Sequence, residues 1–489
     1  MLKEENIRLL FGLKLKQLRL ERKQTITEIA ELSGISMSYL TEIEKGKKYP
    51  KAEKISMLAE VLEVSYDSLV SLQLDKKLLP LAEFFKSDLL TTLPLEIFGI
   101  EPDHLLHILA NQPSKIAAFV STLGEMARNY NMSVEHFYHA TLRSYQEMHE
   151  NYFEDIENEA KKCFETYKEL RPFASLEGLK KLLITHFNYE IEETNFEDTV
   201  ELKHFRAIFI SPKQKLLINS ELSESQKTFA LCRELGYAVM NIKDRPMTSS
   251  MVHLQSFEQL LNNFKASYFA SALIIPEDLL VADMQKFFKH KAFRADELTM
   301  LIHKYNASPE MFFHRLTNLL PKFFELKQLF FLRFHHNIGN ETYDLNKELH
   351  LAGLYNPHGS TTQENYCRRW ISLNILKDLE QNPTKKIFSK AQRSKYIDSE
   401  NEFFCLSMAY QASEHKTCSV TIGFLITDIL KEKVSFWEDA QVPIKQVGVT
   451  CQRCSNLICG ERVALPTVYE ANIRTQKIEK ALANLIKKV

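Results

Sequence analysis

Cysteine is sparse, eight in 489 residues, which excludes a disulfide scaffold and leaves thiols or metal ligands for a reducing compartment. No run of about 18 apolar residues occurs, which excludes an ordinary membrane-spanning helix. No cleavable signal pattern precedes the basic first helix, so a soluble cytoplasmic protein with no membrane partner is expected. Net charge is lacking too: 62 Lys and Arg stand against 63 Asp and Glu, leaving −1 at pH 7. A basic surface over the whole molecule is thereby excluded, and any cationic face for nucleic acid must be local. The length suggests about three domains.

The local charge is found at the N-terminus, from about Asn6 to Ser71. A first amphipathic helix sets Leu10, Leu13, Leu18 and Leu20 among Arg8, Lys14, Lys16, Arg19, Arg22 and Lys23, a basic face behind an apolar one. Thr25 and Glu28 have the spacing of a capping box, and Gly34 supplies a tight turn. Ser36 caps the next helix. Ile29, Ala30, Ile35, Leu40 and Ile43 pack the two together, leaving Met37, Ser38, Thr41, Glu42 and Lys45 outward, the arrangement of a recognition helix in a major groove. Lys47 and Lys48 follow as phosphate contacts, Gly46 ends the helix, and two short helices close the bundle. The segment resembles the five-helix repressor type of the phage and XRE class. Ile26 stands where that class opens its second helix with a polar residue, which weakens a carried-over phosphate contact there.

Beyond it, LQLDKKLLPLAEFF starts a linking region, and Pro94, Pro102 and Pro113 break short helical pieces. Ser114 to about Leu170 is strongly helical, with VEHFYHATLRSYQEMHENYFEDIENEAKKCFETYKEL long enough for one helix that serves as a sensor spine or a dimer contact. FRAIFISPKQKLLINSEL then reads as two strands around a turn, followed by the helix SESQKTFALCRELGYAVM. This order resembles the ImmA/IrrE metallopeptidase-like domain. Such peptidases bind zinc through a His-Glu-x-x-His helix and a later acid. The matching pentad here is Arg233-Glu234-Leu235-Gly236-Tyr237, and the third ligand position is Asn263. An Arg, a Tyr and an Asn do not make a zinc site, so no enzyme is expected and Glu234 is read as a structural or ligand-contacting carboxylate. The region from Tyr268 to Phe334 reads as mainly helical, with Ser308 and Pro309 opening one helix. The 32 Phe residues imply a large core or an apolar ligand cavity.

Two later stretches mix cations with aromatics. LYNPHGSTTQENYCRRWISL sets Asn356, His358, Ser360 and Thr361 beside Tyr366, Arg368, Arg369 and Trp370, and AQRSKYIDSENEFFCLSMAY adds Gln392, Arg393, Ser394, Lys395 and Tyr396. An acyl coenzyme A would use cations for phosphates and aromatics for adenine, with surface salt bridges as the plainer reading. Arg143 and Tyr145 either line the same cavity or belong to a packed helix face. Cys451 and Cys454 form a Cys-x-x-Cys pair with Cys459 five residues on and Cys418 or Cys405 as a further thiolate. The cluster is expected to hold zinc or an iron–sulfur cluster, with free core cysteines or a redox pair as the alternative. Cys163, Cys232 and Cys367 read as buried apolar residues.

Taken together, the helix-turn-helix, LRSYQEMHENYF, CRELGY, ASYFASALIIP, SPEMFFHRLTNLLP, NPHGS, YCRRW, AQRSKY and CQRCSNLICGERVALP resemble the short-chain fatty acyl transcriptional regulator family over nearly the full length. The resemblance implies a bacterial transcription factor that binds operator DNA as a homodimer or tetramer, with short-chain acyl-coenzyme A as effector. Its cysteines, matching Cys451, Cys454 and Cys459, look like cluster or metal ligands. The competing classes are a metal-dependent regulatory peptidase acting on a repressor and a protein-interaction adaptor. The expected fold is multidomain and mainly α with an α+β sensor region. It divides into a helix-turn-helix bundle (1–73), a helical linker and sensor or dimerisation region (74–174), a degenerate zincin-like core (175–345) and a cysteine-containing acyl-coenzyme A-sensing region (346–489).

Overall fold

The computed structural model describes residues 4–71, 134–196, 201–202, 205–248, 256–351, 364–382, 386–413 and 415–486. It divides into two compact units, Met1–His139 with Gln255–Glu258, and Ala140–Leu254 with Gln259–Val489. The helical pieces expected around Pro94, Pro102 and Pro113 and over SKIAAFVSTLGEMARNYNMS lie outside the described residues, as do Asn356, His358, Ser360 and Thr361.

The described residues 4–71 of the first unit form five helices: α1 (Glu4–Glu21), α2 (Ile26–Ser33), α3 (Met37–Glu44), α4 (Ala52–Val61) and α5 (Tyr66–Val70). Local chemistry sets their ends. Thr25 and Glu28 form the reciprocal capping box of α2, Gly34 closes it in the left-handed conformation, and Ser36 caps α3 by accepting from the Tyr39 N–H. Phe11, Leu15, Ile29, Ile35, Leu40, Ile43, Ile55 and Leu58 make one core, with Leu18, Ile26 and Tyr39 at its margin. Gly12 lets α1 lie against the end of α3; a Cβ there would come within 2.2 Å of the Ile43 carbonyl oxygen. Arg19 fastens the same two helices, donating to both Glu44 carboxylate oxygens at 2.6 and 2.9 Å and to the Gln24 carbonyl.

The expected long helix is broken into α6 (Val134–Met148) and α7 (Glu154–Thr166). Glu150 and Asn151 both take positive φ, 51° and 54°, which no helix accommodates. The buried Asn151 repays that conformation: its side chain bonds Gln146 and Thr317, and its carbonyl accepts from Asn318. Helix α8 (Leu176–Phe187) leads to a three-stranded sheet of β1 (Glu190–Thr194), β2 (Ala207–Ile210) and β3 (Lys215–Asn219), in the order β1-β3-β2. The two strands expected around Ser-Pro-Lys-Gln are β2 and β3, joined through Gln214 at φ 47°. Next come α9 (Glu224–Val239), α10 (Phe257–Ile274), α11 (Glu277–Phe288), α12 (Ala295–Lys304) and α13 (Pro309–Phe324), the last opened by Ser308 and Pro309 and stopped by Glu325 in the left-handed conformation.

Helix does not continue to Phe334. Residues after that stop form β4 (Leu329–Asn337), which joins β5 (Asp344–His350), β6 (Ile387–Tyr396), β7 (Glu402–Ser413), β8 (Lys416–Leu425) and β9 (Ile444–Val447) in a six-stranded sheet ordered β5-β4-β8-β7-β6-β9. All neighbours are antiparallel except β6 and β9. One face carries Phe330, Leu332, Phe334, Phe403 and Cys405 against Leu373, Leu376 and Leu379 of α14 (Ile371–Gln381). The other carries Phe331, Phe404 and Phe424, where Phe404 meets Phe436 at 5.7 Å and Phe436 meets Phe287 at 5.2 Å. Phe287, Phe330, Phe331, Phe334, Phe403, Phe404, Phe424 and Phe436 are therefore packed core. After α15 (Asp428–Lys433) and β9, a cysteine-bearing turn precedes α16 (Thr467–Ile486). Among the described residues no helix is long and apolar enough to cross a membrane.

Candidate nucleic-acid interface

Helix α3 is eight residues long and buries Leu40 and Ile43. With those facing the bundle, Met37, Ser38 and Lys45 are exposed and Thr41 half-buried. Met37 is 52% exposed, an uncommon position for a side chain that would fill a core well. The Thr41 hydroxyl is turned to the Met37 carbonyl at 2.8 Å, which tucks its polar end along the helix. Lys47 and Lys48 are exposed just past the helix; Lys48 pairs with Glu42 at 2.8 Å and lies near the Tyr39 ring, over which Lys54 also sits at 4.1 Å. These cations stand beside the outward side chains of α3, so an entering helix would bring them against a phosphate backbone. Every interface position expected from sequence falls on α3 or the turn after it.

The positions that align with the zinc ligands of a peptidase come together with different groups on them. Tyr237, at the second ligand position, donates to Oδ1 of Asn263, at the third, at 3.1 Å. Glu234 is 1% exposed, and Arg245 donates to its two oxygens at 2.7 Å each. That guanidinium is sandwiched between the Phe209 and Tyr237 rings, 4.0 and 3.9 Å from their centroids. Burial, with the Glu234 charge beside it, pushes the Tyr189 hydroxyl up to about 12, and burial does the same for Tyr237. An internal cation thus neutralises the carboxylate that would serve a peptidase as general base. Arg245 was not singled out by sequence; it lies eight residues after the pentad in a loop with no motif of its own.

The expected metal or iron–sulfur site is overturned. Among the described residues no group of three or more His, Cys, Asp or Glu is placed to hold a metal ion, and all eight cysteines are free thiols. Cys418 lies on the sheet face opposite α14, its Sγ accepting from Arg333 at 3.4 Å, whereas Cys405 is on the α14 face, near Ser394. Cys454 packs on Gly448, where an added Cβ would meet its Sγ at 2.9 Å. The turn from Cys451 to Cys459 is held by its carbonyls instead of its sulfurs: Arg462 donates to the carbonyls of Cys451, Cys454, Asn456 and Ala464 at 2.5 to 3.2 Å. A guanidinium supplies the positive charge that the close cysteine spacing suggested.

The cations expected for acyl-coenzyme A are not gathered either. Strand alternation places Gln392 and Ser394 toward α14, with Gln392 donating to the Arg369 carbonyl, and turns Arg393 and Lys395 to the opposite face. Arg393 pairs with Glu402 at 2.8 Å over the Trp437 ring, and Lys395 is exposed. Arg368 donates to the Glu341 carbonyl and lies over Tyr343; Arg369 lies 3.9 Å from Glu461; the Trp370 indole donates to the Gly448 carbonyl. Tyr145 stacks on Phe153, and Arg143 is exposed on α6. Coenzyme A as a cofactor has no assembled phosphate-binding set among these residues.

Comparison with known proteins follows the same division. Residues 15–69 match the helix-turn-helix family, and residues 187–317 match the IrrE N-terminal-like domain. Over 62 residues, 12% of this chain, it is 44% identical to the uncharacterized HTH-type transcriptional regulator RghRB of Bacillus subtilis (strain 168), and over 61 residues it is 43% identical to the HTH-type transcriptional repressor RghR of the same organism. The chain spans 45% of the length of each of these relatives. A solved Mycobacterium tuberculosis transcriptional regulator is similar at 16% identity with a TM-score of 0.47, covering 66% of this chain and 92% of that one. The chain resembles an HTH-type transcriptional regulator, with an XRE-type bundle fused to an IrrE-like accessory domain that lacks the zinc ligands of a peptidase.

Proposed function

We propose that the protein is a sequence-specific transcriptional regulator that reads operator DNA through α3 as a homo-oligomer. The observation carrying this reading is the division of α3 into a buried Leu40–Ile43 side and an exposed Met37, Ser38 and Lys45 side, within the segment that matches the helix-turn-helix family. Met37, Ser38, Thr41 and Lys45 meet base edges, and Lys47 and Lys48 meet phosphates. In this reading residues 1–73 bind DNA, 74–174 connect, and 175–345 with 346–489 form a regulatory body without catalytic chemistry. Two identical reading heads prefer a palindromic site, since each needs its own half-site.

Binding to the chain's own promoter and to scrambled duplex, followed across salt concentration, is the test. Promoter preference is expected, with Lys47→Ala weakening both duplexes alike and reducing the salt slope by about 1. Ser38→Ala and Thr41→Ala are expected to shrink the preference itself, by about 1–3 kcal/mol for each base edge that is no longer read. Equal binding to both duplexes would move the bundle to the adaptor class.

A further inference from the structure

Among the described residues, the last helix is covered only in part and near its start, where Val468, Tyr469 and Ile473 are half-buried. Helix α16 runs for 20 residues from Thr467 to Ile486 and buries none of them. Ile478, Leu482, Leu485 and Ile486 are 54%, 54%, 61% and 75% exposed. At its start the N–H groups of Val468 and Tyr469 both donate to the Gln452 carbonyl. A lone helix of this length is marginal in water without packing, and its exposed leucines and isoleucines need a cover.

The spacing says what kind. Val468, Ala471, Thr475, Ile478, Leu482 and Leu485 follow one another at intervals of three, four, three, four and three, a repeat averaging 3.5 residues. That is the seam of a two-helix coiled coil, narrower than the stripe a helix presents to a globular core. Val468, Thr475 and Leu482 take the first seam position, and Ala471, Ile478 and Leu485 the second. On the flanks, Arg474 falls at the position that in a parallel pair faces Glu479 of the other helix, and Ala481 faces Ile486. An antiparallel pair that packs Thr475 on Ile478 of the other helix sets Glu479 nearest Asn472 and Arg474 nearest Ala481, matching no opposite charges. The opposite charges therefore suit a second copy of this chain in parallel register.

We propose that α16 pairs with α16 of a second copy as a parallel two-stranded coiled coil and is the element that makes the protein a dimer. The proposal rests on the homo-oligomer reading above and supplies its interface. The seam is short and includes Ala471 and Thr475, so the pair is weak and concentration-dependent.

The test uses the full chain, with mass measured by light scattering over a dilution series, folding by circular dichroism, and operator binding as a separate readout. Wild type is expected to be dimeric. Ile478→Glu with Leu482→Glu, both exposed in the single chain, is expected to give a folded monomer whose half-dissociation concentration has risen at least about ten-fold. Arg474→Glu is expected to weaken the dimer, and adding Glu479→Arg to restore it, which loss of folding would not do. Leu485→Cys is expected to form an intermolecular disulfide in the parallel arrangement. A dimer unaffected by the Ile478 and Leu482 substitutions overturns the proposal, as does a monomeric wild type, whose α16 is then covered by its own chain or by a different protein. A disulfide that fails to form in an intact dimer overturns the parallel register. The two readings separate cleanly: monomerised variants with no operator preference in wild type sink DNA reading alone, whereas an operator-specific dimer indifferent to α16 sinks this interface alone.

Discussion

At the scale of single residues, the most deeply buried charges are paired with opposite charges of the same chain. Glu234 with Arg245 is the sharpest case, and Glu234→Gln leaves a nearly buried guanidinium without its counter-charge; a loss of about 3–5 kcal/mol is expected in chemical denaturation. Pairing it with Arg245→Met should recover part of that loss, since a charge pair replaced as a unit leaves nothing unpaired. A second cluster sets the response to acid. Burial lowers His314 to about 4, and burial with the nearby Arg333 charge lowers His335 to about 4. Burial works against ionisation of Glu310, but Lys347 and Arg333 outweigh it and hold that carboxyl at about 2. In each case the unfolded chain binds protons at a higher pH than the folded one. Stability is therefore complete near neutrality, falls as the histidines titrate in the unfolded chain from about 6.5 toward 4, and falls further below about 4.5 as Glu310 does the same. Each histidine accounts for roughly 2–3 kcal/mol at most by pH 4, His335 less because it is only half-buried and partly screened by solvent. Melting temperature followed from pH 7 to 4 should drop, and His335→Gln should flatten the upper part of that slope.

At the scale of elements, sequence was most informative where local chemistry decides. Thr25 with Glu28, Ser36, and Ser308 with Pro309 mark helix starts through bonds to the next turn, and all are found as expected. The pentad around Glu234 was legible for the same reason, being a pattern within one helix. The break between α6 and α7 was not, because Asn151 holds its left-handed backbone through Thr317 and Asn318, about 166 positions away. Strand β4 follows an apolar, aromatic stretch whose period does not distinguish a buried strand from a buried helix. The cysteine spacing misled because spacing along a chain carries no information on which face of a sheet Cys418 occupies, or that Arg462 fills the turn. Gly12 offers a test of element packing. Gly12→Ala gains helix propensity, about 1 kcal/mol, yet meets a backbone oxygen that has no rotamer to yield. Separation of α1 from α3 should prevail, with a net loss of about 1–3 kcal/mol and weaker operator binding.

At the scale of the whole molecule, contacts distant in sequence join the regulatory body. Arg315, fully buried, donates to both Glu157 oxygens, and Tyr268 donates to the same carboxylate at 2.7 Å, tying α7, α10 and α13 into one block. Glu157→Gln should cost about 3–5 kcal/mol and broaden unfolding of that block while leaving the helix-turn-helix transition in place, as separate calorimetric transitions would reveal. Arg245 and Arg462 have a related consequence at this scale. A metal ion is borrowed from a cellular pool, and a fold that depends on one rises and falls with its supply through the ligand's concentration. A guanidinium is translated with the chain and has no exchange equilibrium. At these two positions nothing has to be loaded, and the melting temperature of the body built on them is expected to be the same with and without a strong chelator.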